Sequence, residues 1–92
     1  MNKNYDEIVK RSKDIFVKWR SIPAPQRGEY IRKFGEELRA KKDYLAETIT
    51  KEARKIQTES QGEVQEAIDM CDFAVGLSRQ LYGLTMPSER PN

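Results

Sequence analysis

The 92-residue sequence predicts an all-α fold of four helices in a single small domain. Apolar residues recur at steps of three and four residues along most of the chain, which is the period of an amphipathic helix. No run of β-branched residues alternates with polar ones, so the sequence indicates no strand. There is no internal repeat and no low-complexity block. The predicted helices cover residues 5–20, 25–40, 42–55 and 58–82, and an extended tail covers residues 84–92.

The first predicted helix carries one apolar face on a polar, slightly basic background. Acidic residues near its start and basic residues near its end match the sign of the helix dipole. The helix is expected to stop before Pro23 and Pro25, because two prolines at this spacing favour an extended link. Its apolar face consists of Ile8, Ile15, Phe16 and Trp19.

The second helix is expected to begin at Pro25, because proline suits the first helical turn. Gly35 lies next to its apolar face, and a glycine inside a helix costs about 1 kcal/mol relative to alanine. We therefore interpret Gly35 as a point of close approach to another helix. The apolar faces are Ile31, Phe34 and Leu38 in the second helix and Leu45, Ile49, Ala53 and Ile56 in the third.

The fourth predicted helix is the longest and the most apolar. Thr58 is a candidate N-cap, with Gln61 three residues later as in a capping box, and Gly83 is a candidate C-cap. At about 100° per residue, its apolar residues form two adjacent stripes that together cover roughly 200° or more of its surface. One stripe is Val64, Ala67, Ile68, Cys71, Ala74, Val75, Ser78, Leu81 and Tyr82, and the other is Met70, Phe73 and Leu77.

Two stripes imply partners on two sides, because an ordinary surface helix needs an apolar face of only roughly 100°. The rest of the chain can cover one side. We therefore predict a homo-oligomer, with a dimer expected, formed through the stripe of Met70, Phe73 and Leu77. Aromatic residues at helical spacing are expected to pack in the core, namely Trp19, Phe16, Phe34 and Tyr82.

Two separated motifs carry a resemblance to a known enzyme family. They are IPAPQRGE at residues 22–29 and GEVQEAIDMCDFAVGLSRQLYG at residues 62–83, the latter followed by PSER at residues 87–90. With this order and spacing, the chain from about residue 5 onward resembles the N-terminal part of aldehyde dehydrogenases, and it is most similar to the antiquitin type, the α-aminoadipic semialdehyde dehydrogenases. In that family these helices belong to an α/β domain that binds NAD. The resemblance therefore implies the opening helices of a longer enzyme.

The resemblance singles out Glu66 and Arg54. In antiquitin-type enzymes the glutamate at the position of Glu66 helps to bind the amino group of the substrate, so the resemblance implies an amine-binding carboxylate. A glutamate that faces water at the edge of the apolar stripe is the alternative. Arg54 stands where the family commonly has a glycine with positive φ at the end of the third helix. The third helix is therefore expected either to run one turn longer or to end in a strained join.

No catalytic residue and no cofactor site is predicted within the chain. It contains no histidine, which is the commonest general base and metal ligand. Cys71 lies among apolar and acidic neighbours, which favours a buried structural thiol over a nucleophile. The resemblance places the family's catalytic cysteine, base, oxyanion asparagine and NAD fold beyond residue 92. No metal site is expected, because the acidic residues of the fourth helix spread around more than half of its circumference. These residues are Glu59, Glu63, Glu66, Asp69 and Asp72.

Composition limits the compartment and the partners. The net charge of +2 is small, and the basic excess in the first twenty residues fits a solvated helix face better than a nucleic-acid surface. No apolar run approaches the roughly 20 residues of a membrane span, and the N-terminus lacks the apolar region of a secretory signal. The chain has one cysteine, so no internal disulfide can form. A reducing, cytoplasmic location is expected.

Two functions remain open. The chain is a truncated or split NAD-dependent aldehyde dehydrogenase that is catalytically silent alone, or it is a small self-associating helical interaction module without enzymatic activity. A nucleic-acid-binding helical bundle is a third reading that the charge pattern favours less.

Overall fold

A computed structural model describes residues 2–80 and 82–91 of the chain, with side chains from residue 4 onward. These ranges contain four helices and no strand, which confirms the predicted all-α fold. Residues 82–91 form neither helix nor strand. The helices are α1 Asn2–Trp19, α2 Ala24–Ala40, α3 Lys42–Ala53 and α4 Gln57–Leu77.

The core lies between α2, α3 and α4, and it is small. Its centre is formed by three apolar residues that are almost completely excluded from solvent, and further aliphatic side chains of α2 and α3 pack around them. Most of these positions belong to the apolar faces expected from the helical period, so the core lies where the sequence pattern predicts it. The central residues are Ala46, Val64 and Ile68, and those around them are Leu38, Leu45 and Ile49.

Two glycines let α2 lie directly against α4. A Cβ atom on Gly35 would lie 3.0 Å from Cβ of Cys71, and one on Gly28 would lie 2.6 Å from Oγ of Ser78. Because Gly28 contacts the end of α4 and Gly35 contacts its middle, the two helices run antiparallel. The interpretation of Gly35 as a point of close approach is therefore confirmed, as is the burial of Cys71.

The fourth helix ends at Leu77, about five residues earlier than predicted. The amide of Ser78 still donates to the carbonyl of Ala74, but the next two amides, of Arg79 and Gln80, donate to carbonyls only three residues back. Such bonds tighten the chain and end an α-helix. Gly83 is therefore not its C-cap, which corrects that prediction. Leu81, which the predicted helix and its first stripe include, lies outside the described residues.

The start of α4 also differs from the prediction. The residue that precedes the helix is Ile56, in an extended conformation, and no side chain caps the first turn. Thr58 lies inside the helix, so it is not the N-cap. In the first turn of α4, Ser60 is completely buried, and its hydroxyl forms a 2.8 Å hydrogen bond with the hydroxyl of Thr50 on α3.

Arg54 ends α3 and sets the backbone geometry of the join between α3 and α4. Its backbone has φ 57° and ψ 35°, the left-handed conformation that glycine adopts without strain, and its amide donates to the carbonyl of Thr50. The third helix thus ends at Ala53 and does not run one turn longer. Of the two expectations, the strained join is the one observed. Ile56, predicted on the apolar face of the third helix, is exposed.

The first helix packs little against the others, and the molecule is extended. The radius of gyration is 18.5 Å, against about 12 Å for a compact domain of this length. The main aromatic contact at the end of α1 joins Trp19 to Tyr30 of α2, with ring centroids 5.6 Å apart. The prediction that the aromatic residues lie in the core is wrong for three of them. These are Phe16, Phe34 and Tyr82, which are 53%, 57% and 69% exposed.

Candidate functional site

The two stripes of α4 have different surroundings. Val64, Ile68 and Cys71 of the first stripe pack against α2 and α3 and are buried, whereas Ala67 and Ala74 of that stripe are exposed. Met70, Phe73 and Leu77 on the second stripe are 57%, 59% and 44% exposed. The prediction that the chain covers only one side of this helix is confirmed for the described residues. We call the exposed surface formed by Glu66, Met70, Phe73 and Leu77 the fourth-helix face.

Glu66 lies on the exposed surface of α4, one turn before Met70 and two turns before Phe73. Several other carboxylates of this helix have partners: Glu63 bonds Lys55, Asp69 accepts from Gln65, and Asp72 is 3.4 Å from Arg39. Within the described part of the chain, Glu66 has no such partner. Its carboxylate is therefore free to accept hydrogen bonds from a cation outside these residues.

The charge of α4 favours cationic ligands over anionic ones. The helix contains five acidic residues and no basic residue. A carboxylate in that field, with Met70 and Phe73 beside it, can hold an ammonium group while apolar surface covers an attached aliphatic chain. This is the chemistry that the resemblance implies for Glu66. The exposure of Glu66 agrees both with that role and with the alternative of a solvated glutamate.

An open groove of about 390 Å³ lies at the other end of the fourth-helix face. It is bounded by the end of α1, the first two turns of α2 and the last turn of α4. Leu77 belongs both to this groove and to the fourth-helix face. The groove is lined by Trp19, Ala24, Arg27, Gly28, Ile31, Ala74, Leu77 and Ser78.

Arg27 is the residue of this groove that the sequence reasoning missed. Its Nε atom is buried and has no hydrogen-bond partner among the described residues. A signal was present in the sequence, because Arg27 precedes Ile31, Phe34 and Leu38 at steps of three and four and so shares their face. A cation on the apolar face of a helix requires an acceptor when it is buried.

A second open groove, of about 300 Å³, lies beside the first turns of α2 and is lined by Ile22, Gln26, Glu29, Tyr30 and Lys33. Arg32 donates a hydrogen bond to Glu29, and this bond holds the pKa of that carboxyl below its ordinary value. The same pair raises the pKa of Arg32. Glu29, one of the polar residues that line this groove, is thus already engaged in an ion pair on its own helix.

The nucleophile and metal-ligand candidates of the described residues are Cys71 and the carboxylates. Cys71 is buried against Gly35, so its thiol is not presented to a substrate. Across residues 2–80 and 82–91, no three cysteine or carboxylate side chains come together to hold a metal ion. None of the helices in those ranges is both long enough and apolar enough to span a bilayer.

The helices also do not fit NAD. Its pyrophosphate is normally held by a glycine-rich turn between a strand and a helix. In the described ranges the regular structure is helical, Gly28 and Gly35 are filled by contacts with α4, and Gly62 and Gly76 lie inside α4. No step through the cofactor is therefore assigned to these residues.

Comparison with known proteins places the chain in a family. The model of the aldehyde dehydrogenase family matches residues 1–92. The chain is 52% identical over 89 residues to aldehyde dehydrogenase family 7 member A1 of Brassica napus, covering 97% of this chain and 18% of the relative. It is 48% identical over 89 residues to the α-aminoadipic semialdehyde dehydrogenase of Rattus norvegicus, covering 97% of this chain and 16% of the relative. The chain thus spans less than a fifth of the length of the curated relatives that it matches, and it belongs to the aldehyde dehydrogenase family.

Proposed function

We propose that these 92 residues form the N-terminal helical part of an NAD-dependent aldehyde dehydrogenase of the α-aminoadipic semialdehyde type. In this proposal the helices support the cofactor domain, and α4 lines the passage of the substrate. The residues alone do not oxidise aldehydes. The observation that carries the proposal is the match over nearly the whole chain, at about half identity, to relatives of that type.

The exposed position of Glu66 supports a role in binding an amino-aldehyde. Its carboxylate would accept hydrogen bonds from the ammonium group of the substrate, and charge-assisted bonds of this kind are stronger than neutral ones. Met70 and Phe73 lie one and two turns further along the same face and would cover the aliphatic part of the substrate. The aldehyde group would then point away from Glu66, toward catalytic groups that these residues do not supply.

Two measurements test the proposal. The 92-residue chain is mixed with NAD and an amino-aldehyde, and NADH formation is followed by absorbance; no NADH above the protein-free control is expected. Turnover by this chain would contradict its catalytic silence. Binding of the amine is then tested by NMR titration with pentylammonium. Shifts centred on Glu66 and Met70 are expected, and they should disappear in Glu66→Gln but persist in Glu59→Gln.

A self-associating helical module is the second candidate function. The observation that favours it is the apolar surface left exposed on α4 together with the exposed Ile8, Ile15 and Phe16 of α1. Exposed apolar patches of this kind mark interaction surfaces in soluble proteins. Under this proposal a second copy covers the fourth-helix face and the chain has no enzymatic role. Sedimentation equilibrium at several concentrations separates an associating chain from a monomer.

A further inference from the structure

The groove around Arg27 is built for a carboxylate that these residues do not provide. Arg27 is half-buried, and its Nε–H donor is buried with no acceptor in the described part of the chain. Buried donors in native proteins are almost always paired, because leaving one unpaired forfeits its hydration without replacement. Nε itself is closed to solvent, so an acceptor from outside these residues would bind the terminal nitrogens of the same guanidinium, which no described residue bonds.

The nearby carboxylates are engaged elsewhere. Glu29 on the same helix pairs with Arg32, and Asp72 on α4 faces Arg39. The carbonyls of Ala74, Gly76 and Leu77 at the end of α4 accept from the amides of residues 78–80 and not from Arg27. The carbonyl of Val75 accepts from the hydroxyl of Ser78. None of these groups is offered to Arg27.

The start of α2 adds a second positive contribution to the groove. Pro23 precedes the helix and provides no side-chain cap, and the first turn contains no acidic residue. The amide end of a helix carries a partial positive charge that favours anions. Ala24, at this end of the helix, lines the groove together with Arg27. The partial positive charge at this end of α2 opposes the partial negative charge at the carbonyl end of α4, which also borders the groove. Arg27 carries the formal charge among the lining residues, and it favours a carboxylate.

The remaining walls are apolar. Trp19 from α1, Ile31 from α2 and Leu77 from α4 line an open space next to Arg27, together with the small residues Ala24 and Gly28. An aliphatic or aromatic side chain fits such a space, and the gain comes from removing these apolar surfaces from water. A ligand that matches the whole groove therefore carries an apolar side chain directly next to a carboxylate.

We propose that this groove docks a polypeptide segment in which Glu or Asp lies next to a large apolar residue. The carboxylate accepts hydrogen bonds from the guanidinium of Arg27, and the apolar side chain lies between Trp19, Ile31 and Leu77. The segment comes from the part of the dehydrogenase chain outside residues 1–92, since the matched relatives contain much more chain than the 16–18% that these residues cover. This last step rests on the proposed function, whereas the carboxylate chemistry of the groove does not.

The chemistry is tested with the short peptide acetyl-Leu-Glu-Leu-amide and its Gln counterpart. The ¹⁵N-labelled chain is titrated, and the Nε–Hε signal of Arg27 and the indole signal of Trp19 are followed. Both signals should shift with the Glu peptide, and the Gln peptide should bind about tenfold more weakly, because a charge-assisted bond is replaced by a neutral one. Equal binding of the two peptides, or no shift at millimolar peptide, would overturn the proposal.

Variants test whether Arg27 is the residue that prefers the Glu peptide over the Gln peptide. Arg27→Gln should abolish the preference for the Glu peptide, and Arg32→Gln, which removes an exposed arginine of the same helix, should leave it intact. If circular dichroism shows that Arg27→Gln has lost its helices, Arg27→Lys replaces it. That variant keeps the charge but loses the planar guanidinium, and its preference should fall as well. An unchanged preference in a folded Arg27 variant contradicts the role given to Arg27.

The source of the segment is tested separately. An array of overlapping peptides covers the part of the Rattus norvegicus α-aminoadipic semialdehyde dehydrogenase outside the matched region. Binding is expected only at peptides with a carboxylate next to an apolar residue, and it should be lost with Arg27→Gln. A failure of every peptide, while acetyl-Leu-Glu-Leu-amide still binds, would overturn the assignment to the dehydrogenase chain. A shift of the Arg27 signal with protein concentration that persists in Phe73→Gln, which weakens association through the fourth-helix face, would identify a second copy as the occupant of the groove and overturn it too.

Discussion

Gly35 lies directly against Cys71 where α2 packs on the middle of α4, and a Cβ atom on Gly35 would lie only 3.0 Å from Cβ of Cys71. That distance is shorter than ordinary contact between carbon atoms, so the two helices could not keep this separation with a larger residue at position 35. Cys71 belongs to the buried stripe of α4. The contact therefore fixes which side of α4 is covered by the chain and which side, carrying Phe73, is left exposed.

Gly35→Ala is expected to destabilise the chain. The added methyl group must push α4 away, and overpacking of this kind costs about 1–3 kcal/mol, which outweighs the gain of about 1 kcal/mol from alanine in a helix. Gly62→Ala is the matched control, because nothing lies within 4 Å of a Cβ atom there, and it should stabilise the chain. Urea unfolding followed by circular dichroism measures both. A Gly35→Ala chain as stable as Gly62→Ala would contradict the close contact.

Arg54→Gly is expected to stabilise the chain by about 1 kcal/mol, because the left-handed backbone of Arg54 is strained for any residue with a Cβ atom. Lys51→Gly, on the exposed surface of α3, should instead destabilise by about 1 kcal/mol through loss of helix propensity. Thermal unfolding of both variants checks the sign. If Arg54→Gly lowers the melting temperature as Lys51→Gly does, residue 54 does not have positive φ.

Ser60→Ala is expected to destabilise the chain by about 1–2 kcal/mol. Ser60 is fully buried, and its hydroxyl bonds that of Thr50 across the join between α3 and α4. The double variant Thr50→Val, Ser60→Ala should lose less stability than the sum of the losses of the two single variants, because either single change already breaks the bond. Denaturant unfolding of the four proteins gives this coupling. Additive effects would mean that the two hydroxyls do not interact.

The exposed pair of Glu29 and Arg32 predicts a pH effect of known sign. The hydrogen bond from Arg32 lowers the pKa of Glu29 from its ordinary value of 4.5 in the folded chain. The pair therefore stabilises the fold above about pH 4.5, and this stabilisation is lost as the pH falls through the pKa of folded Glu29. Arg32→Gln should raise that pKa toward 4.5, as read by NMR titration of the carboxyl carbon. Arg39→Gln should leave it unchanged, and a Glu29 that titrates alike in all three proteins would contradict the pairing.

Helical period was enough to predict the number of helices and most residues of the core, but not Ala46, which is fully buried and is not on the predicted face of α3. It placed Ile68 and Val64 on one stripe of α4 and Phe73 on another, and the structure keeps that division. It failed for Phe16 and Phe34, because the period identifies an apolar face but not whether a partner covers it. Phe16 and Phe34 can therefore lie on the apolar faces that the period predicts and still be exposed in this chain.

The ends of α4 depended on contacts that local sequence does not reveal. Gly83 looked like the end of the helix, but the helix stops where Ser78 lies against Gly28 and bonds the carbonyl of Val75. Thr58 looked like a cap, but the extended residue Ile56 precedes the helix. In both cases the deciding interactions involve tertiary contacts or backbone geometry rather than a preferred capping residue.

The candidate site could be predicted only in part. Glu66 followed from a motif, and its exposure on α4 is consistent with the role that the motif implies. Arg27 was not predicted, because its importance comes from an unpaired buried nitrogen that only the packing of three helices creates. An arginine on the apolar face of a predicted helix indicates a buried cation that needs an acceptor, and this pattern can be read from sequence alone.

The most direct test of the account is the mass of the chain in solution as a function of concentration, because the fourth-helix face is left uncovered by its own chain. Sedimentation equilibrium is expected to show a mass that rises above the 10.7 kDa of one chain, with binding of a hydrophobic dye at low concentration. Phe73→Gln should weaken the association, and Tyr44→Gln, an exposed change on α3, should not. A chain that stays at 10.7 kDa at every concentration and binds no dye would contradict the claim that α4 requires a further protein surface.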